Sequence, residues 1–334
     1  MSIDFLVSVR CFTYNQSAYI KDALNGFVVQ QTNFPFVVLV VDDASTDGEQ
    51  EVIRKFMAEE FELSDTSFAY ETETEYAYIQ YAQHKTNKSC FMVAMFLKEN
   101  HYSQKKKKFP YLAEWRDGVK YEAICEGDDY WINPLKLQKQ VDFLESNPEY
   151  SICFHSANVQ NVESIQYSIQ CEHIENRDYS ASELFENWIA PTASFLYKKE
   201  ALNIKMNNRF RSLNGDIILL LKCAKIGKLR GFADCMSVYR VQNGGVTYDK
   251  SMKKTRYERY PEHYLFIKDN FSDVVKIDLI NKFLSDYYLI RAKECSFSVR
   301  TLTDLCMFAF VYPKNIYLKL CKLFKLLLGG EKKN

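Results

Sequence analysis

The sequence predicts an α/β protein with a doubly wound, mostly parallel, Rossmann-like sheet, followed by a helical C-terminal extension. Short apolar segments alternate with helix-like segments from the N-terminus, which is the order of a parallel sheet covered by helices. One of them, Phe36–Val41, is apolar at every position, as expected for a central parallel strand. After about residue 240, strand signals give way to helical sequence rich in Tyr and Lys.

The first part of the sheet can be assigned in order. Phe5–Cys11 is predicted to be a strand, and the apolar spacing in Ala18–Gln30 predicts an amphipathic helix. The strand Phe36–Val41 and a second amphipathic helix, Glu49–Phe61, follow. Phe68–Tyr70 is the candidate for the third strand. In such a β-α-β-α-β unit, ligands bind at the carboxyl ends of the strands.

The later elements are less regular. Tyr121–Cys125 is a predicted strand, and Leu135–Glu145 is a predicted helix between Pro134 and Asn147-Pro148. A further strand is expected at Ile152–His155. Residues 71–118 have no assigned role, and their four-lysine run at 105–108 is either a solvated loop or a contact for phosphate or anionic lipid.

Composition and motifs exclude several classes of protein. Of the 334 residues, 47% are hydrophobic and 26% are charged, which is the balance of an ordinary folded protein. Lys and Arg (43) equal Asp and Glu (43), so nucleic-acid binding is not expected. The glycines form neither G-x-G-x-x-G nor a P-loop, which argues against a dinucleotide site and a Walker NTPase.

The expected location is the cytoplasm. The ten cysteines form no C-x-x-C pair, which favours buried thiols in a reducing compartment. The N-terminal segment contains Asp4 and lacks the basic region of a signal peptide. Apolar runs such as Leu305–Tyr312 do not exceed eight residues, far fewer than the ~20 residues of a membrane span.

Carboxylates cluster at three predicted element ends. Asp42-Asp43 follows the second strand, Glu126-Gly127-Asp128-Asp129 follows a later strand, and Asp216 precedes the predicted helix Ile217–Ala224. Three carboxylates within four residues repel one another unless a cation such as Mg²⁺ or Mn²⁺ neutralises them. Each cluster has a structural alternative as a turn or a helix cap.

The chain resembles glycosyltransferases of family 2 with the GT-A fold. Residues 3–247 carry the resemblance, most weakly over 71–118. The matching segments are VSVRCFTYNQSAYIKDAL, VLVVDDASTDG, ICEGDDYWINPLKLQKQVDFLE, and LNGDIILLLKCAKIGKLRGF followed by VYRVQNGGVT. The resemblance implies a GT-A domain over 1–247 and leaves 248–334 as a helical extension that associates with a membrane or forms oligomers.

The resemblance also implies roles for individual residues in binding a nucleotide sugar and its metal, and for Asp216 in catalysis. Glu126-Gly127-Asp128 occupies the D-x-D position, with Glu in place of the first Asp; Asp128 or Asp129 would bind the metal. Asp216 matches the catalytic base of inverting members, although Gly215 replaces the Glu that often precedes it. The other implied donor-site residues are Phe12, Thr13 and Tyr14 at the base, Asp42 and Asp43 at the base and ribose, and Arg240 with Asn243-Gly244-Gly245 near the phosphates.

The implied reaction is metal-dependent transfer of a sugar, by default from a UDP-sugar, to an acceptor hydroxyl with inversion. A base takes the acceptor proton, and Mn²⁺ or Mg²⁺ stabilises the departing diphosphate. The processive Q-x-x-R-W motif is absent, so one sugar is added per encounter. By analogy, the acceptor is a glycan or lipid-linked sugar of bacterial surface polysaccharide or glycolipid assembly. The alternatives are a degenerate sugar- or nucleotide-binding scaffold and a sugar nucleotidyltransferase.

The C-terminal segment Asn315–Leu328 has lysines every three residues, with apolar residues mainly opposite them. One interpretation is a helix that packs on the protein or on a second subunit. The other is an interfacial helix on the anionic inner leaflet, which would hold the enzyme beside a lipid-linked acceptor.

Overall fold

The computed structural model of the protein describes residues 3–64, 67–162, 171–242, 253–294 and 299–313. The chain separates into two compact units, each built from several segments. The first unit comprises Met1–Ser180, Trp188–Asn203 and Ile226–Gln242, and the second comprises Ala181–Asn187, Ile204–Lys225 and Asn243–Asn334. The second unit therefore includes two segments that precede the boundary expected at residue 247.

The first unit contains a mixed sheet, with eleven strands in the described part of the chain. The strands are β1 (Val7–Thr13), β2 (Phe36–Asp42), β3 (Tyr70–Glu73), β4 (Ala77–Gln83), β5 (Cys90–Leu97), β6 (Tyr121–Ile124), β7 (Tyr130–Trp131), β8 (Tyr150–Asn161), β9 (Asp178–Tyr179), β10 (Leu196–Lys198) and β11 (Lys228–Val241). Their order across the sheet is β3-β4-β5-β2-β1-β6-β10-β8-β11-β7, and β9 pairs with β11.

Most strands run in one direction. The central strands β5, β2, β1 and β6 form parallel pairs. β10 is antiparallel to both β6 and β8, so β8 and its parallel neighbour β11 run in the direction of the central strands. The predicted doubly wound, mostly parallel sheet is therefore confirmed. Antiparallel strands extend it on both sides.

Helices of the first unit cover the sheet with their apolar faces. They are α1 (Ile20–Val28), α2 (Glu49–Glu60), α3 (Ala113–Arg116) and α4 (Lys136–Ser146). Buried side chains of α1, α2 and α4 join one large hydrophobic core with residues of the central strands. Leu112 and Trp115 close a second core on alternate residues of β2 and β5. Every residue of β2 is buried, because both faces of this strand are covered.

The predicted third strand is wrong. Phe68–Tyr70 overlaps the exposed strand β3 only at Tyr70, and β3 forms an antiparallel pair with β4 instead of a parallel pair with β2. The parallel neighbour of β2 is instead β5, a wholly buried strand in the region that lacked an assignment. The reason is that the β3–β4 hairpin is inserted between α2 and the next parallel strand.

The second unit is helical in its described part. It contains α5 (Ala181–Glu186), α6 (Gly215–Ile226) up to Lys225, α7 (Lys253–Phe271), α8 (Ile277–Glu294) and α9 (Val299–Val311). α7 packs against α8, and α8 packs against α9. The predicted helical C-terminal region is thus present. The segments Asn243-Gly244-Gly245 and Asn315–Leu328, for which the sequence made predictions, lie outside the described residues.

Candidate functional site

The carboxyl ends of three neighbouring strands bring the predicted site segments of the first unit together. β1 lies between β2 and β6 and is parallel to both, and Thr13 at its end is paired with Asp42. The N–H of Gly127 donates to the carbonyl of Phe12 at 3.3 Å. The segments 12–14, 42–43 and 126–129 therefore meet at one edge of the sheet, where parallel sheets bind ligands.

A buried glutamate that the sequence analysis missed fixes the loops at this edge. Glu49, the first residue of α2, accepts hydrogen bonds from the N–H of Gln16 at 2.9 Å and the hydroxyl of Ser45 at 2.8 Å. The Thr13 hydroxyl also contacts its carboxylate. Burial raises the pKa of Glu49, against the lowering effect of these hydrogen bonds. Glu49 therefore ties the loop after β1 to the loop after β2.

One carboxylate oxygen of Asp42 accepts hydrogen bonds from the protein, and the other has no partner among the described residues. Its Oδ1 accepts the N–H of Ser45 at 3.1 Å and the amide of Gln50 at 2.6 Å. Its Oδ2 is buried and has no hydrogen-bond partner in the part of the chain that the structure describes. Burial raises the pKa of the Asp42 carboxyl. A buried oxygen without a partner is costly unless a ligand supplies a donor.

Asp43 has a different environment, because protein groups occupy its carboxylate. The N–H groups of His101 and Tyr102 donate to it at 2.8 Å and 3.0 Å, and Lys108 forms an ion pair with it at 2.9 Å. Lys105, Lys106 and Lys107 are exposed, as the solvated-loop alternative predicts, whereas Lys108 is the exception because it is paired with Asp43. Asp43 anchors the 101–108 segment to the end of β2.

Aromatic and cationic side chains lie beside these loops. The ammonium of Lys108 and the guanidinium of Arg10 lie 4.9 Å and 5.3 Å from the centre of the Phe12 ring. Phe12 also packs edge-to-face on Phe109, with ring centres 5.6 Å apart. Tyr14 is 46% exposed, so its ring is accessible at the end of β1. The two aromatic residues predicted to face a base thus differ: Phe12 is packed, whereas Tyr14 is accessible.

The acidic segment after β6 places its carboxylates in distinct surroundings. Glu126 accepts a hydrogen bond from the hydroxyl of Thr192 at 3.2 Å, and Asp128 accepts one from the amide of Gln242 at 3.1 Å. Both are partly accessible. Asp129 is buried and accepts the backbone N–H of Arg240 at 2.9 Å. Asp129 therefore supports the structure, whereas Glu126 and Asp128 can face a ligand.

The electrostatics of this segment favour a cation. Burial raises the pKa of each of the three carboxyls, and the charge of Asp128 raises the pKa of both Glu126 and Asp129 further. The charge of Arg10 lowers the pKa of Glu126. A bound cation would stabilise the ionised forms of these groups in the same way.

Gly127 is required because the loop after β1 packs directly on it. A Cβ atom built at this position would lie 2.3 Å from Oγ1 of Thr13 and 2.6 Å from Oε1 of Gln16. Any larger residue would push these side chains away from the acidic segment. The glycine therefore allows the ends of β1 and β6 to approach closely.

Arg240, near the end of β11, cross-links three parts of the first unit. Its guanidinium donates to the carbonyl of Asp128 at 2.9 Å and to the Gln160 side chain at 3.1 Å, and it forms an ion pair with Asp22 of α1. The guanidinium also lies 4.4 Å from the ring centre of Tyr130. Arg240 thus holds the acidic segment in place through its backbone.

The donor atoms at this edge suit a hard divalent cation. Mg²⁺ and Mn²⁺ prefer oxygen ligands, and Mg²⁺ typically takes one or two protein carboxylates plus waters and substrate phosphates. Asp128 and Glu126 supply such oxygens. Within the described ranges, no group of three or more His, Cys, Asp or Glu side chains is arranged as a metal site. The residues fit a cation that phosphate oxygens help to hold.

Asp216 lies in the second unit, in the first turn of α6. Its Oδ1 accepts the N–H of Ile217 at 2.8 Å, and burial raises the pKa of its carboxyl. The residue before it, Gly215, has open space around the position that a Cβ would occupy. Asp216 is therefore a partly accessible carboxyl at a helix N-terminus, where both a cap and a base are compatible with its contacts.

Comparisons with known sequences agree with these observations. The family model described as Glycosyl transferase family 2 matches residues 8–74, which include β1, β2 and the loops at their ends. The uncharacterized proteins Rv1520 of Mycobacterium tuberculosis and Mb1547 of Mycobacterium bovis are each 28% identical to the chain over 240 residues. The match covers 72% of this chain and 60% of the length of these relatives.

Solved structures with the same fold extend the comparison to almost the whole chain. S. aureus TarS 1–349 in complex with UDP-GlcNAc superposes with a TM-score of 0.56 at 15% identity, over 94% of this chain and 83% of that chain. The mannosyltransferase PcManGT from Pyrobaculum calidifontis, in complex with GDP-Man and Mn²⁺, gives 0.50 at 16% identity, over 99% and 85%. At these identities, the likeness concerns the fold.

The fold, with its acidic segments at the carboxyl ends of β2 and β6, is that of a GT-A enzyme. The family match covers the first of those segments. The chain is therefore similar to family 2 glycosyltransferases over residues 8–74, and it shares its fold with TarS and PcManGT.

Within the described residues, no helix is both long and apolar enough to cross a membrane.

Proposed function

We propose that the protein transfers a single sugar from a UDP-sugar to an acceptor hydroxyl, with inversion at the anomeric carbon and with Mn²⁺ or Mg²⁺ as cofactor. The acceptor is a glycan or a lipid-linked sugar of bacterial surface polysaccharide or glycolipid assembly. The observation that carries the proposal is the buried, unpartnered Oδ2 of Asp42 beside the loop that ends β1.

The end of β2 is suited to the nucleoside. Asp42 Oδ2 can accept a hydrogen bond from a ribose hydroxyl or a base N–H. Such a bond would satisfy an oxygen that has no partner in the described part of the chain. Tyr14 is accessible for stacking, whereas Phe12, Thr13 and Asp43 shape the loops around the nucleoside through their packing and hydrogen bonds.

The acidic segment after β6 is suited to the diphosphate. We assign cation binding to Asp128, with Glu126 as the neighbouring carboxylate. Asp129 and Arg240 hold their backbone. When bound, the cation acts as a Lewis acid that stabilises the diphosphate leaving group. Gly127 keeps this segment close to the loop that carries Thr13 and leaves no side chain between them.

Asp216 is assigned as the general base. A base is most effective when its pKa approaches the working pH, and burial moves the pKa of Asp216 upward. It would take the proton of the acceptor hydroxyl as that oxygen attacks the anomeric carbon. No covalent nucleophile is needed for such an inverting transfer.

The choice of UDP rests on the fold relatives. TarS was crystallised with UDP and with UDP-GlcNAc, and PcManGT with GDP-Man and Mn²⁺. Calorimetric titrations with UDP, GDP and dTDP, each with and without Mn²⁺, test both the nucleotide and the cation. We expect the tightest binding for UDP with Mn²⁺. Equal binding in EDTA would refute the role of the cation.

Asp42→Asn tests the observation that carries the proposal. Asparagine can keep the oxygen that accepts from Ser45 and Gln50, and it replaces the unpartnered oxygen with an amide. Losing one charge-assisted hydrogen bond should weaken UDP binding about tenfold or more, without a loss of stability. The matched control is Asp142→Asn, which removes an exposed carboxylate from α4 and should bind UDP normally. Unchanged UDP affinity in Asp42→Asn would refute the assignment.

Asp216→Asn separates the base from a structural cap. Asparagine retains an oxygen for the N–H of Ile217, so the start of α6 should form normally. Transfer should be abolished, while donor affinity stays within a few-fold of the wild type, because a general base acts in the transition state. A parallel collapse of donor affinity would favour the structural alternative. If the wild type binds UDP normally but neither hydrolyses a UDP-sugar nor transfers its sugar, the result would favour the alternative of a degenerate nucleotide-binding scaffold.

A further inference from the structure

Arg10, on the central strand β1, has a guanidinium without a polar partner. Within the described ranges it forms no ion pair, and its buried Nε has no hydrogen-bond partner. The guanidinium lies instead beside two aromatic rings, 5.3 Å from the centre of Phe12 and 5.1 Å from the centre of Phe109. A buried donor without a partner is costly unless a ligand accepts from it. The side chain is partly accessible, so a ligand can reach it.

The charged side chains around these two rings leave one cation in excess. Lys108 and Arg116 lie against the same rings, 4.9 Å and 4.7 Å from the ring centres. Each of these two cations has an acid of its own. Lys108 pairs with Asp43 at 2.9 Å, and Arg116 donates to Glu122 at 3.0 Å. Arg10 is the third cation of the group, and no described acid is paired with it.

Arg10 is also close to the acidic segment at the end of β6. Its charge lowers the pKa of the Glu126 carboxyl, although the Glu126 carboxylate accepts its hydrogen bond from the hydroxyl of Thr192, at 3.2 Å. A divalent cation bound at this segment would neutralise the charge of Glu126. Arg10 would then carry an uncompensated positive charge beside the cation, where an anionic group of a ligand is favoured.

We propose that Arg10 is a further donor-binding residue, whose guanidinium binds an oxyanion of the nucleotide sugar. This inference rests on the proposed function, because it requires a donor at this edge of the sheet. A guanidinium presents its N–H groups in a planar fork that matches the oxygens of a phosphate or a carboxylate. The oxyanion comes either from the diphosphate or from a carboxylate on the transferred sugar, as in a uronic acid donor. The two sources differ in which donors depend on Arg10.

Calorimetric titrations of the full chain with uridine, UDP, UDP-glucose and UDP-glucuronate, all in Mn²⁺, test this proposal. Arg10→Met removes the charge and keeps an apolar stem for packing on the rings. If Arg10 binds the diphosphate, the variant should bind UDP and both UDP-sugars about tenfold more weakly. If Arg10 binds a sugar carboxylate, only UDP-glucuronate should weaken, and the wild type should prefer it to UDP-glucose. In both cases uridine should bind normally, because it carries no oxyanion.

Arg230→Met is the matched control. Arg230 also has a buried Nε without a partner among the described residues, and it lies 5.9 Å from the ring centre of Phe143. Its guanidinium is paired with Asp178, however, and it lies near the start of β11, away from the carboxyl ends of the strands. This variant should bind all four ligands as the wild type does.

Thermal melts check that the variants are folded, and Arg10→Gln provides a second variant with the same expected affinities. Two outcomes would overturn the inference while the proposed function stands. One is unchanged affinity of Arg10→Met for all four ligands. The other is a loss of uridine affinity equal to the loss of UDP affinity, which would give Arg10 a structural role. If the wild type bound none of the four ligands, the proposed function would be wrong, and this inference with it.

Discussion

Gly127→Ala is the most direct probe of how the candidate site is assembled. The new methyl group would lie 2.3 Å from Oγ1 of Thr13 and 2.6 Å from Oε1 of Gln16, whereas ordinary contacts begin near 3.4 Å. Thr13 is β-branched and stiff, and the Glu49 carboxylate holds its hydroxyl, so it cannot simply rotate away. The ends of β1 and β6 must separate by about 1 Å.

Such overpacking costs about 1–3 kcal/mol of folding free energy. For a domain of this size, Tm should fall by about 2–4 °C for each kcal/mol. Because the displaced side chains lie against the segment that holds Asp128, affinity for UDP with Mn²⁺ should fall as well, by about tenfold. Thermal melts measure the first effect, and calorimetric titration measures the second.

Gly118→Ala is the matched control for this variant. A Cβ at Gly118 meets no atom within 4 Å, so both stability and UDP binding should match the wild type, within about 0.5 kcal/mol. If Gly127→Ala kept the melting temperature and UDP affinity of Gly118→Ala, the close packing of Gly127 against Thr13 would not be a feature of the folded protein.

Three further changes test other parts of the molecule. Burial lowers the pKa of Lys136 to about 7. The folded state therefore binds fewer protons than the unfolded state above pH 7, and stability should rise by about 1.5 kcal/mol between pH 7 and 8.5. Lys136→Met should remove this rise in the free energy of unfolding, which urea titrations measure. A rise that persists in Lys136→Met would contradict the assignment to Lys136. Gly215→Glu should raise Tm by an amount equivalent to about 1 kcal/mol of folding free energy. The position has space for a side chain, and both the lower backbone entropy of the unfolded chain and the helix dipole favour glutamate there. A lower Tm would show that the side chain meets atoms of the folded protein. Burial lowers the pKa of His263 to about 4, and its Nδ1 accepts the N–H of Leu213 at 3.2 Å. Stability should therefore fall by about 2–3 kcal/mol as pH drops from 6.5 to 4, and this dependence should be absent in His263→Gln.

Elements with a clear period were predictable from the sequence. The apolar spacing located α1, α2 and α4 to within about two residues, and the continuous apolar segment at β2 marked a central strand. β5 was missed, although Cys90–Leu97 is as continuously apolar and as buried as β2, because the expected alternation of strands and helices had already placed the third strand at Phe68–Tyr70. The antiparallel β3–β4 hairpin before it has no counterpart in the expected alternation of strands and helices.

The candidate site shows a different limit of sequence reasoning. Glu49 looked like an ordinary acidic residue at a helix start, which helix N-termini favour. Only the fold reveals that its carboxylate receives the N–H of Gln16 and the hydroxyl of Ser45 from two separate loops. The contacts of Glu49 with Thr13 and Gln16 join residues more than thirty positions apart and leave no local pattern, so this role could not be recognised from spacing.

In both acidic pairs, Asp42-Asp43 and Asp128-Asp129, the two carboxylates have different surroundings, and this difference also depends on tertiary contacts. In each pair, the second residue is bonded to backbone N–H groups of a distant segment: Asp43 to residues 101–102, and Asp129 to Arg240. The first residue keeps carboxylate surface for a ligand, as the buried free oxygen of Asp42 and the accessible side chain of Asp128 show. Asp42 ends the strand β2, where neighbouring side chains point in opposite directions. Asp128 instead lies in a turn that the N–H of Asp129 closes by donating to the carbonyl of Glu126 at 3.1 Å. In both pairs, the second Asp therefore holds the backbone that carries the first. On the proposed function, the first carboxylate would need little further ordering to bind the donor.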